Sequence, residues 1–205
     1  LECAESVTAV VTTRSALWAF YHKSGPYMDM ARNELVRRFY QPQFDECDRL
    51  LMIDSDIEFR PEDVRRLEAD DLPIVSGVYH NVFDGVMRPI AYEWSDDRTG
   101  MIPVVTWPDG VSTNNDSYAD PITTTDGVGA GFLMIRRDVL DTMRDHYGEP
   151  CPWFAEEIIE GVHWGEDLCF CLRAAELGFK THVDRRVQVA HHKGVRLGGP
   201  KVTEG

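Results

Sequence analysis

Three groups of residues in this chain have the types and spacing that metal-assisted chemistry on phosphates requires. Asp54-Ser55-Asp56 sets two carboxylates either side of one small residue, His191 is an imidazole at the end of an apolar stretch, and Glu166-Asp167 is an adjacent acid pair. Hard carboxylate oxygens with one imidazole suit Mn²⁺ or Mg²⁺, and the absence of any Cys-x-x-Cys pair disfavours structural zinc. Gly127, Gly129 and Gly131 look at first like a phosphate loop. Position 132 is Phe, however, where a dinucleotide fingerprint needs Gly, and no Walker lysine follows, so both nucleotide motifs are excluded. The glycines instead predict a tight turn and close approach of a substrate to the backbone.

Each group also has a plainer reading. With 35 acidic residues in 205, an Asp-x-Asp can arise from composition, although it occurs once here and directly follows an apolar run. A histidine beside a second histidine is commonly a surface or core residue, and Glu166-Asp167 would serve equally as first-turn acids that favour a helix dipole. Company decides between the readings: strand-end carboxylates, a strand-end histidine and a helix start carrying acids converge where α/β sheets bind ligands.

The elements that would position them follow from periodicity. Residues 27–40 predict a helix, with Ala31, Leu35, Val36 and Phe39 on one side and Pro42 beyond its end. Leu50 to Ile53 is a short continuous apolar run, the pattern of a strand buried on both faces of a mostly parallel sheet. Pro61 opens a second helix, with Glu62 and Asp63 in its first turn and Val64 and Leu67 facing inward. Strands are expected at Pro73 to Val78, Gly131 to Ile135, Lys180 to Val183 and Val187 to Ala190. Helices are expected at Arg137 to His146 and at Glu166 to Leu177, the latter with Leu168, Leu172, Ala175 and Cys171 inward and Gly178 as its stop. Residues 84–126, rich in Asp, Gly, Pro, Ser, Thr and Asn around Trp94 and Trp107, read as loops with a hairpin. Alternating strands and helices imply one α/β domain over residues 1–205.

Composition narrows the function classes. The net charge of −14 opposes broad nucleic-acid binding, yet Arg185, Arg186, His191, His192, Lys193, Arg196 and Lys201 cluster toward the end of the chain. Such donors suit a phosphate-bearing ligand, or are simply solvated. No apolar run is long enough to span a membrane, and the five cysteines form an odd set, so reduced thiols in a cytoplasm are expected.

Taken together, Ala31-Arg32-Asn33, Leu51-Met52-Ile53-Asp54-Ser55-Asp56, Ser76-Gly77-Val78-Tyr79, Gly129 to Arg136, Gly165-Glu166-Asp167-Leu168-Cys169-Phe170 and Val187 to His191 resemble GT-A glycosyltransferases with DxD and ED motifs, of the small bacterial or phage type. The resemblance covers residues 27–194. It implies a Rossmann-like, mostly parallel sheet flanked by helices. It also implies transfer of a hexose-like sugar from a UDP- or GDP-linked donor to an acceptor hydroxyl of unknown class, with inversion, in a bacterial or phage-infected cytoplasm. By the same resemblance Asp56 and His191 ligate the metal, and Asp54 contacts the ribose or the metal through water. Arg32 lies near the phosphates, with Ser55, Gly129 and Trp164 on the donor side, and Asp167 is the base, Glu166 being the alternative. The family's first strand either precedes Leu1 or lies at Val7 to Thr12, where Leu1 to Val11 otherwise reads as a helix. Trp153, Phe154 and Trp164 either stack on a sugar or pack a small core. Two rivals remain: a nucleotide-sugar-binding or partner-binding domain without turnover, and a sugar-nucleotidyl transferase, which would need a basic Gly-rich loop not found here.

Overall fold

The computed structural model describes residues 28–107, 121–193 and 196–197; the expectations for Leu1 to Val11, and for the side chains of Arg196 and Lys201, lie outside them. The chain opens with helix α1 (Met28–Phe39) and a 3₁₀ turn, Pro42–Phe44, then runs through β1 (Arg49–Ile53), β2 (Ile57–Glu58) and helix α2 (Pro61–Asp70). Next come β3 (Ile74–Val78), β4 (His80–Phe83), β5 (Val86–Pro89), β6 (Ala91–Trp94), β7 (Met101–Pro103), β8 (Ile122–Thr125), β9 (Gly127–Val128) and β10 (Phe132–Arg136). Helix α3 (Arg137–Tyr147), the hairpin β11 (Glu157–Ile159) and β12 (Val162–Trp164), and helix α4 (Glu166–Glu176) follow. The described chain closes with β13 (Thr181–Gln188), β14 (Ala190–His192) and β15 (Arg196–Leu197).

The central sheet corrects the expected architecture. Its five strands run in the order β1-β10-β3-β13-β8, and of the four pairings only β13 with β3 is parallel. Four smaller antiparallel sheets of two or three strands accompany it, so the protein is not built on a GT-A-like, Rossmann-like, mostly parallel sheet. The physical reason is that a continuous apolar run encodes burial, whereas strand direction is set by the connections. Leu50 to Ile53 is itself an edge strand, paired antiparallel from Arg49↔Arg136 to Ile53↔Phe132, and only Met52 in it is fully buried. The stretch read as loops contributes β5, β6, β7 and β8, because Tyr92 and Trp94 alternate in a three-stranded sheet with β7 and β9.

Helices cover both faces of the sheet. On one face α1, α3 and α4 bring Val36, Phe39, Val139, Leu140, Met143, Phe170 and Ala174 onto Met52, Ile74, Val78, Leu133, Ile135 and Val183. On the other, Val64 and Leu67 of α2 join Ile57, Phe59, Val75, Phe132, Met134, Val187 and Val189. Helix α2 starts as expected at Pro61, and the Asp63 carboxylate accepts the Arg60 backbone N–H at 2.7 Å, satisfying an otherwise orphaned donor. Helix α4 is turned from its expected register. Cys169, Phe170, Cys171, Arg173 and Ala174 are buried while Ala175 is exposed, because Phe170 stacks on Phe154 at 4.7 Å and the leucines take the flanks.

At the end of α2 a pair of acids meets: Asp70, its last residue, and Asp184 of β13. The Arg186 guanidinium donates to Asp184, which is fully buried, and to Asp70 at 2.7 Å. Burial first, and the Asp184 charge second, push the Asp70 carboxyl up to about 6 against the opposing pull of Arg186. An acid whose folded-state pKa lies above its unfolded value holds protons more tightly when folded, so its contribution to stability falls as pH rises through the window between the two. Thermal melting of Asp70→Asn should therefore gain on wild type as pH rises from about 4 to about 6, with the difference flat above that. A melting-temperature difference that does not change across this window would contradict the assignment.

Candidate functional site

The centre of the site is built by a short antiparallel pairing. After β1, Asp54 N–H donates to Gly131 O at 2.9 Å, and a turn closes when Ile57 N–H donates to Asp54 O at 3.1 Å. The turn feeds β2, which pairs with β14 in the register His191↔Ile57 and Ala190↔Glu58, and His192 N–H donates to Asp56 O at 2.8 Å. The two expected segments at Lys180 to Val183 and Val187 to Ala190 are one strand, β13, whose register with β3 shifts between Asp184 and Gln188 before the chain leaves the sheet for β14. That departure carries His191 to Asp56.

The result is a 3.2 Å separation between His191 Nε2 and Asp56 Oδ2. His191 Nδ1 lies 2.9 Å from the His80 carbonyl, and since a carbonyl only accepts, Nδ1 carries a proton; in the neutral form of the ring it is Nε2 that presents a lone pair toward Asp56. Nε2 is buried and makes no hydrogen bond to Asp56 or any other group. Ligands about 2.1 Å from one octahedral ion lie about 3.0 Å apart, so the pair fits a shared cation. The Lys193 ammonium donates to the same Asp56 oxygen at 2.8 Å. Against the upward pull of burial, the hydrogen bond and charge of Lys193 hold the Asp56 carboxyl below its ordinary range. The neighbouring His192 turns to Glu58, 2.9 Å away. Among the described residues no cluster of three or more His, Cys, Asp or Glu is poised for a metal, so this pair would leave an ion's remaining positions to water and ligand oxygens.

The second part of the site is organised by Arg32. It is buried in α1, donates from Nη2 to Asp54 at 3.1 Å and from Nη1 to Glu166 at 2.5 Å, and its charge is reinforced by Asp54, Glu166 and Asp167 against the cost of burial. Arg32 therefore ties the Asp54 turn to the start of α4. Its neighbour Asn33 accepts from Phe154 N–H at 3.0 Å and donates to Phe154 O, fixing the segment before the β11–β12 hairpin. Asp167 accepts the Leu168 backbone N–H through Oδ1 at 2.8 Å. Burial raises the Asp167 carboxyl, partly offset by Arg32, and the same balance raises Glu166.

Tyr79 joins the two parts. It is buried, its ring meets His191 edge-on at 5.4 Å, and its hydroxyl accepts the Gly131 N–H at 2.9 Å. A Cβ at Gly129 would lie 2.2 Å from the Tyr79 hydroxyl and 2.3 Å from Ile90 Cγ2. The protein's own tyrosine is thus by itself enough to require glycine at this position. Gly131 is similarly pressed by Tyr79 and by Asp54 Oδ2. Ser55 is exposed at the turn. Trp153 and Phe154 are core residues, the Trp153 indole donating to Leu140 O at 3.1 Å, whereas Trp164 packs against Trp94 at 5.4 Å beside the Glu166-Asp167 turn. Tyr79, Trp94 and Lys193, named in the sequence only within a turn segment, a loop stretch and a basic cluster, carry parts of this geometry that were not assigned to the site individually. The signal for Lys193 was its place in the basic cluster, two residues beyond His191.

No family model matches this sequence, and no curated protein sequence matches it. Among solved structures, A197 from STIV resembles it over 97% of this chain and 90% of that one, with a TM-score of 0.51 and 14% identity. The likeness is one of fold alone. Among the described residues no helix is long and apolar enough to cross a membrane.

Breaking the Arg32 bridge would strand the Glu166 carboxylate. Arg32→Met is expected to cost about 3 kcal/mol or more, the range for removing one member of a buried ion pair. Urea unfolding at neutral pH measures it, and a loss below about 1 kcal/mol would show that the bridge is no stronger than a surface pair.

Proposed function

We propose that this chain is a divalent-cation-dependent transferase that moves a sugar from a UDP- or GDP-linked donor to an acceptor hydroxyl. The observation that carries the reading is the His191 Nε2 and Asp56 Oδ2 pair: two lone-pair atoms 3.2 Å apart, unbonded to each other and partly desolvated. With the ring neutral, acceptor faces acceptor, an arrangement that a shared cation would stabilise. Mn²⁺ or Mg²⁺ held there would supply charge for a leaving diphosphate, and an ion with only two protein ligands keeps positions for phosphate oxygens.

The remaining roles are assigned to the chain's own groups. Asp167 stands at the N-terminus of α4 with Oδ1 engaged by Leu168 N–H, and burial raises its affinity for a proton. A carboxylate so placed is suited to take the proton of an attacking hydroxyl as a general base. Glu166 is the weaker candidate because Arg32 already holds it. Direct attack assisted by one base would invert the anomeric carbon. Trp94 and Trp164 pack together just ahead of the helix start that carries Asp167, and an aromatic face there could meet a sugar ring.

Calorimetric titration of Mn²⁺ with UDP or GDP should give binding to wild type and none to Asp56→Ala, with the fold unchanged by circular dichroism. Wild-type affinity in the variant would remove the metal assignment. Screening nucleotide-sugars for metal-dependent release of nucleoside diphosphate then tests turnover. In that assay Asp167→Asn should retain donor affinity and lose roughly 10²-fold or more in kcat. A near wild-type rate for Asp167→Asn together with an inactive Glu166→Gln would move the base to Glu166.

A further inference from the structure

We propose that Lys193 is a diphosphate-binding residue that occupies the cation position on Asp56 until metal and donor arrive together. The inference rests on the metal-dependent transfer argued above and adds a residue and a binding order to it. Lys193 Nζ lies 2.8 Å from Asp56 Oδ2, the same oxygen that stands 3.2 Å from His191 Nε2. The ammonium and a shared ion compete for one oxygen, so an ion entering between Asp56 and His191 takes the partner of Lys193.

The displaced ammonium has a place to go. Arg32 is 7% exposed and held by Asp54 and Glu166, His192 is held by Glu58, and Arg186 is held by Asp70 and Asp184. Lys193 is the most exposed of these basic groups, at 48%, on a flexible stem directly after β14. A nucleoside diphosphate bound beside Asp56 would offer the released ammonium a new partner, since lysine binds phosphate as a movable point charge. Metal alone leaves Lys193 without a partner, whereas metal with diphosphate exchanges one ion pair for another. The two ligands are therefore thermodynamically coupled through Lys193, each tightening the other.

The test is a titration of Mn²⁺ followed by the electron paramagnetic resonance signal of the free ion, on wild type, Lys193→Met and Lys193→Arg, alone and with UDP or GDP. Lys193→Met should bind Mn²⁺ alone roughly 2- to 5-fold more tightly, the scale of a partly exposed ion pair. It should bind nucleoside diphosphate in the presence of Mn²⁺ about 10-fold more weakly, as expected for loss of a charged hydrogen bond. Lys193→Arg should stay close to wild type in both. Equal Mn²⁺ affinity in wild type and Lys193→Met, or undiminished diphosphate affinity in the latter, overturns the inference and leaves the metal site standing. Failure of wild type and Lys193→Met alike to bind Mn²⁺ overturns both the inference and the metal site.

Discussion

Two atoms with lone pairs, His191 Nε2 and Asp56 Oδ2, are held 3.2 Å apart by backbone pairing between β2 and β14 and by a histidine tautomer fixed on the His80 carbonyl. The constraint is electrostatic. Acceptor facing acceptor in a partly desolvated setting demands positive charge, and the surroundings of the site can be understood as answers to that demand. Lys193 answers it from the strand end. Tyr79 meets the imidazole edge-on and leaves no room for a side chain at Gly129, and the His191 ring is pinned between it and the His80 carbonyl.

The Asp54-Ser55-Asp56 motif is divided in its loyalties. Asp56 looks toward His191 and Lys193, and Asp54 looks toward Arg32, which also holds Glu166. A single turn after β1 thereby links the Asp56–His191 side to an acid-bearing helix start, and the buried guanidinium keeps three neighbouring carboxyl groups from repelling one another apart. In a chain of net charge −14, the local placement of a few cations matters more than the total.

Helices and their ends were legible in the sequence because local chemistry writes them: Pro61 with Glu62 and Asp63 at the start of α2, and Gly178, at φ 86°, just past α4. Strand direction was not legible. Leu50 to Ile53 and Phe132 to Ile135 have the composition of buried strands in either orientation, and their antiparallel pairing depends on connections that no apolar run records. Rotation of α4 was misread from its leucines, because the stacking of Phe154 on Phe170 is a tertiary contact between distant segments. Gly129 was legible as a special backbone position, but its reason, the Tyr79 hydroxyl, was not. Within the site, the residue types of Asp56, His191 and Asp167 could be read from strand ends and a helix start. The partnerships of Arg32 and Lys193 could not, since a basic residue in a sequence gives no sign of which carboxylate it will meet.

Anomalous diffraction from crystals grown with Mn²⁺ and a nucleoside diphosphate tests the central claim most directly. The account predicts a single manganese peak bonded to both Asp56 and His191 Nε2, with the remaining coordination from phosphate and water. A peak elsewhere, or an ion on Asp56 with His191 Nε2 outside its coordination shell, would contradict it.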